Sequence, residues 1–251
     1  MSSSGATTAL SFAFGDLGSA VWGLAWNARG GEASLVLGKD EAVRVSPAQV
    51  QAPSPEGDWA VTTEGTELSL EPAGEPVAPG REREDSSSLD QLCRAHGRLV
   101  LEAEEVVVDC LGWRQVRGAR TAVDWGAIRQ AAAWFGVEEA IALTALRPRG
   151  ATEHDRDVVE AVVLGSDQAG PVEDPRLSTT YARDGSPKAA GLELWLPRPD
   201  TDELYPLRAS GEAVGAEATW SQTGTELEAR LFEWHSRGRE GAGVYLLGRR
   251  R

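Results

Sequence analysis

A chain of 251 residues is long enough for one large all-β domain or two of about 120 residues each. Its net charge of −14 and isoelectric point near 4.7 exclude the basic face that nucleic-acid binding requires, and disfavour docking on an anionic membrane surface. An apolar content of 41% is adequate for a core, and no apolar run approaches the length of a membrane-spanning helix.

The N-terminus, residues 1–18, has neither a basic start nor an apolar run of signal-peptide length, so the expectation is a cytoplasmic protein. Segments 20–29 and 32–38 flank Gly30-Gly31 and read as a β-hairpin, because paired glycines supply the positive φ angles of a tight turn. Within it Trp22, Leu24 and Trp26 recur every second residue and share one face of a strand. Segments 57–63 and 65–71 form a second hairpin around Gly65. The polar, proline-dotted stretch 72–90 has no periodicity and reads as a long loop or linker.

Strand patterns resume at 98–103 and 105–110. Segment 123–135 is alanine-rich, with Asp124 at a possible N-cap, and predicts a short helix of about three turns. Strands return at 139–146, 157–165, 177–183, 190–196, 211–220, 225–235 and 242–247. Many short strands between Gly, Asp and Pro turns predict antiparallel barrels or one large sandwich. A four-residue echo hints at duplication: Trp59 precedes Gly65-Thr-Glu-Leu68, and Trp220 precedes Gly224-Thr-Glu-Leu227. Cys93 and Cys110 are too few for a disulfide scaffold or a zinc site; they sit in neighbouring strand-like runs and could pair, but two buried free thiols are the expectation.

The residues that carry chemistry gather in two places. Segment 109–134 concentrates Trp113, Trp125 and Trp134 with Arg114, Arg117, Arg120 and Arg129, and with Asp109 and Asp124. A carboxylate such as Asp124 among indoles has the surroundings of a general acid; the alternative is a helix cap paired with a surface arginine. Near the C-terminus Trp234 sits between Glu233 and His235, which alternation places on one face. That face either lines a barrel, where the pair exchanges a proton, or points outward as a charged pair. The charged stretch around His154 reads as a solvated loop. Gly238, Gly241 and Gly243 are spaced G-x-x-G-x-G without a following helix, so they read as a hairpin turn and strand glycines rather than a phosphate cradle.

The run from Arg120 through Asp124, Trp125 and Gly126 to Arg129 resembles the Arg-Asp-His-Ser-Trp-Gly-x-Arg signature of the hydroxyneurosporene synthase-like (carotenoid 1,2-hydratase, AttH-like) family. The tail from Phe232 to Tyr245 is similar to that family's closing strands. Trp125, Gly126 and Arg129 match; Ala122 and Val123 stand where the family has its histidine region. The resemblance implies two lipocalin-like barrels, here residues 1–120 and 121–251, and chemistry on isoprenoids or polyketides without metal or organic cofactor.

Three functions follow. The first is a cofactor-independent hydratase, isomerase or cyclase holding a hydrophobic small molecule in a Trp-lined barrel. Asp124, Arg120, Glu233 and His235 would be its catalytic candidates, and Trp22, Trp26, Trp113, Trp125, Arg129, Trp134 and Trp234 its ligand-binding ones. The second is a non-catalytic carrier using the same cavity, and the third a carbohydrate-binding sandwich. No oligomeric state is specified by the sequence.

Overall fold

The computed structural model describes residues 8–80, 88–118, 124–152, 156–165, 169–197 and 203–250. Eight antiparallel strands form the first sheet: β1 (Ala9–Asp16), β2 (Val21–Arg29), β3 (Glu32–Lys39) and β4 (Ala42–Gln51), then β5 (Trp59–Thr63), β6 (Thr66–Pro72), β7 (Leu89–Leu101) and β8 (Glu104–Arg117). Each pairs with the next in sequence, and β8 pairs back onto β1 from Ala9↔Arg117 to Phe14↔Gly112, closing a barrel without edges. Both predicted hairpins are present, with Gly30, Gly31 and Gly65 at positive φ in their turns.

The second sheet holds β9 (Trp125–Trp134), β10 (Ala140–Pro148), β11 (Val158–Leu164) and β12 (Gly170–Pro171). It continues with β13 (Arg176–Tyr181), β14 (Pro187–Pro197), β15 (Leu204–Gln222), β16 (Thr225–Ser236) and β17 (Arg239–Arg250). Its order is β12-β11-β10-β9-β17-β16-β15-β14-β13, an up-and-down meander left unpaired between β12 and β13. The sheet curls far enough that Thr179 on β13 meets β9 and β17: Arg129 Nη1 donates to Thr179 Oγ1 at 3.2 Å, and Thr179 bonds the Tyr245 hydroxyl at 2.7 Å. The architecture is two lipocalin-like barrels, the second open along one seam.

Among the described residues there is no α-helix, which corrects the helix expected at 123–135 and the capping role of Asp124. Strand β9 is buried on both faces, with Ile128, Ala132 and Trp134 towards the first barrel and Ala131 and Ala133 inside the second. Apolar residues on both faces erase the alternation that marks a half-buried strand, and alanine's helix propensity yields to tertiary pairing.

Three cores result. Phe12, Phe14, Leu35, Leu37, Trp59 and Leu70 fill the first barrel. Leu143, Ala161, Leu192, Leu194, Phe232 and Trp234 fill the second. Between the barrels lies the third, where Trp22, Leu24, Trp26 and Trp113 meet Trp134, Leu231, Val244 and Leu246. The predicted Trp-lined barrel interior is therefore corrected: Trp22, Trp26 and Trp113 face out of the first barrel and Trp125 and Trp134 out of the second, and together they line the contact between the two. The Trp59/Trp220 echo does not mark equivalent positions either. Trp59 points into the first barrel on β5, whereas Trp220 lies on β15 against the inter-barrel core.

Cys93 and Cys110 are both free, as expected, and burial pushes each thiol up to about 12. Gly238 sits in the β16–β17 turn, and Gly241 and Gly243 are strand residues.

Candidate functional site

Where the two barrels meet, their contact is not packed along its whole length. A cleft of about 240 Å³ opens between β1, β2 and β8 of the first barrel and β9, β10, β11 and β17 of the second. Trp26 and Trp125 form its apolar wall, their rings 6.0 Å apart and nearly perpendicular at 81°. The Arg250 guanidinium stacks 4.2 Å over the Trp125 ring. At Asn27 the β2 backbone turns through a positive φ of 53°, a bulge that breaks the registers with β1 and β3. The Asn27 amide donates to Ser11 Oγ at 2.9 Å, which fixes the bulge at the cleft.

The opposite side is polar and ordered from beneath. Asp90, buried on β7, accepts from Trp113 Nε1 (2.8 Å), Gln115 Nε2 (3.0 Å) and Arg117 Nη2 (2.7 Å). These bonds leave Gln115 Oε1 to accept from Gln130 Nε2 at 3.2 Å, and Gln130 Nε2 also reaches Thr144 Oγ1 at 3.1 Å. Gln130 Oε1 is buried with no hydrogen-bond partner among the described residues. An unmet buried acceptor costs about 1–3 kcal/mol, and Gln130 itself lines the cleft. Glu160, opposite Thr144 in the β10–β11 register, is the one carboxylate lining the cleft among the described residues. Arg29, Arg117 and Arg250 line it as well.

The sequence-derived candidates divide by location. Trp26 and Trp125 line the cleft, and Trp113 stands behind it on Asp90. Trp22 and Trp134 are fully packed, Trp134 with its Nε1 on the Gly15 carbonyl at 3.0 Å. Trp234 and Arg129 lie inside the second barrel. Asp124 is 68% exposed and pairs with Arg149 (3.2 Å) and Arg250 (3.7 Å), the surface pairing weighed as the alternative. Asp124→Asn is expected to shift stability by no more than about 0.5 kcal/mol, checked by thermal melting. Arg120 and His154 fall outside the described residues. Glu233 and His235 point outward from β16, 3.5 Å apart at the surface, and so are not a barrel-lining pair. With Glu240 they bring ligand atoms within 4.8 Å of one another on an open face.

Gln115, Gln130, Thr144 and Glu160 were missed by sequence reasoning. Gln130, Thr144 and Glu160 are each a lone polar residue between apolar neighbours on the same strand face, and Gln115 stands between Trp113 and Arg117; this is a weak signal unless the face is known to be buried.

A second titratable group stands apart from the cleft. Glu228 on β16 points into the second barrel, and burial, with Glu217 beside it, pushes its carboxyl up to about 7. The folded state therefore holds a proton that the unfolded chain releases near pH 4.5. The stability of the neutral form is present below that value and is lost as pH rises through about 7. Glu228→Gln is expected to leave stability unchanged at pH 4 and raise it by about 1–3 kcal/mol at pH 8, read from urea unfolding at the two pH values.

No family model and no curated protein sequence matches the chain. Solved structures share its fold. Kievitone hydratase from Nectria haematococca aligns at a TM-score of 0.63 and 8% identity, covering 97% of this chain and 89% of that one. A putative AttH from Nitrosomonas europaea gives 0.62 at 9% identity, covering 99% and 94%. CghA gives 0.57 at 12% identity, covering 96% and 87%. At such identities the likeness is one of architecture, and it agrees with the double-barrel fold that the 120–129 and 232–245 motifs implied.

Proposed function

We propose that the chain is an enzyme that hydrates or cyclises a small unsaturated, largely apolar molecule in the cleft between its barrels, by proton transfer and without an organic cofactor. The observation that carries this reading is one carboxylate, Glu160, set with three guanidiniums and Gln130 opposite the indole wall of Trp26 and Trp125. In a hydration, Glu160 takes a proton from water as its oxygen adds to the β-carbon of a conjugated carbonyl. Arg29 or Arg117 holds the enolate oxygen, and Glu160 then returns the proton to the α-carbon. Trp26 and Trp125 hold the apolar body in one conformer, which lowers the entropic part of the barrier. The fold shared with kievitone hydratase supports this class of chemistry.

The test is turnover of a panel of conjugated phenols, enones and polyenes by the purified protein and by Leu146→Trp, which fills the cleft from the half-buried end of β10. Product formed by the wild type and abolished in the filled variant supports the reading. Undiminished turnover in Leu146→Trp overturns the site. Binding without product identifies a carrier in place of an enzyme.

A further inference from the structure

The cleft does not end at Arg29. Asn27, Arg29 and Arg250 line it and also line a wider groove of about 690 Å³, so the two adjoin along the contact between the barrels. The groove lies between β3 and β4 of the first barrel and the β15–β16 turn of the second, with Glu32, Ser34, Pro47, Gln49 and Thr223 on its walls. Its depth comes from a change of side-chain size along one strand face. Val36 of β3 packs into the inter-barrel core, and two residues earlier on the same face stands Ser34, too small to fill the corresponding space. The far wall is fixed in place. Gln222 Nε2 donates to the Trp26 carbonyl at 2.9 Å, and Thr223 and Gly224 hold the turn at positive φ of 48° and 75°.

Cleft and groove differ in chemistry. The cleft has the Trp26 and Trp125 indoles as one wall and Glu160 on the other side. Among the described residues no aromatic ring lines the groove; the amides of Asn27, Gln49 and Gln222 and the hydroxyls of Ser34 and Thr223 do. Amides and hydroxyls both donate and accept, the capacity that a neutral polyol matches group for group. The charged residues of the groove come with opposite partners. Arg29 stands across from Glu32 in the β2–β3 register, and Arg250 lies 3.7 Å from Asp124. An ion entering here meets like charge as near as opposite charge, so a neutral group suits this end better.

We propose that the molecule taken by the cleft has two parts, an unsaturated apolar head and a neutral hydroxylated tail of the size of a sugar ring. The assignment rests on the cleft as the reacting site. The head lies on Trp26 and Trp125 beside Glu160, and the tail runs past Arg29 into the groove, where Ser34, Gln49 and Thr223 hydrogen-bond it. A tail held away from the reacting carbon also fixes the head, so its binding energy contributes to turnover as well as to affinity.

Isothermal titration calorimetry with 7-methoxycoumarin and with the 7-O-glucoside of coumarin tests it, since the pair share one conjugated head and differ only in what the 7-oxygen bears. On the wild type the glucoside is expected to bind about tenfold more tightly, the weight of two neutral hydrogen bonds. Gln49→Trp and Ser34→Trp, which fill the groove, are expected to erase that difference and to leave 7-methoxycoumarin binding as in the wild type. Gln49 is exposed, so its replacement leaves the fold intact, which circular dichroism checks. Equal affinity for the two compounds in the wild type overturns the tail and leaves the cleft as the site of the head. A glucoside advantage that survives both replacements overturns the groove as its seat. Leu146→Trp is expected to abolish binding of both compounds. Undiminished glucoside binding in that variant places the molecule outside the cleft and overturns the head together with the reading it rests on, as does absence of binding by either compound.

Discussion

Glu160→Gln is expected to lower turnover by about 10²–10⁴-fold while leaving ligand affinity close to that of the wild type, the range for loss of a positioned acid–base group. The amide keeps the shape and volume of the carboxyl but neither accepts nor returns a proton at neutral pH. Glu160 is half-buried at the cleft wall, opposite Thr144 on the neighbouring strand, so the exchange disturbs no packed core. Steady-state turnover gives the first quantity and quenching of Trp26 and Trp125 fluorescence by the same molecule gives the second. A fall in affinity with unchanged kcat would show that Glu160 binds the substrate without moving its proton. Unchanged values of both would remove it from the site. The contrast with Asp124 is physical: both are carboxylates near Trp125, but Asp124 is 68% exposed in a surface pair, where water supplies protons as readily as the side chain does.

The architecture was readable because its turns are chemically explicit. Gly30-Gly31 and Gly65 demand positive φ, and the strands around Gly65 alternate on either side. What alternation does not tell is which face of a strand is the inside of a barrel. Trp22, Leu24 and Trp26 share a face, as their spacing requires, yet that face is the outer one, buried only because a second barrel lies against it. The same burial on both sides turned β9 into a false helix. It also split the segment 125–129 between two compartments, because the register shift opposite Pro148 leaves Trp125 in the cleft and Arg129 inside the second barrel. Glu160 and Gln130 gave no motif at all, since their meaning comes from long-range contact between sheets. A polar residue in a strand reads as solvent-facing until a partner sheet is known to cover it.

Gly243→Val is expected to destabilise the protein by about 3 kcal/mol or more, at the upper end of overpacking changes. This glycine has no positive φ to satisfy; it is required by two close approaches. A Cβ there would collide with the Ala132 carbonyl oxygen on the paired strand β9, and would stand 2.7 Å from Trp234 Nε1. The carbonyl belongs to the strand seam joining β9 to β17 and has no rotamer through which to yield. The indole is equally confined, because its other side lies on Gly211, whose own Cβ would fall 2.6 Å from the ring. Trp234 thus spans two glycines on strands that flank its own, and its bulk substitutes for the side chains they lack. For a chain of this length the loss corresponds to a fall in Tm of about 6–12 °C, followed by the near-ultraviolet dichroism of the buried indoles. Trp234→Leu in the Gly243→Ala background separates the two contacts. It relieves the clash with the ring but not that with the carbonyl, so the double variant should be more stable than the sum of its single changes by about 1 kcal/mol. Strict additivity would mean that the ring and the glycine do not share the space the structure gives them, and a wild-type Tm for Gly243→Val would mean that β9 and β17 are not paired as described.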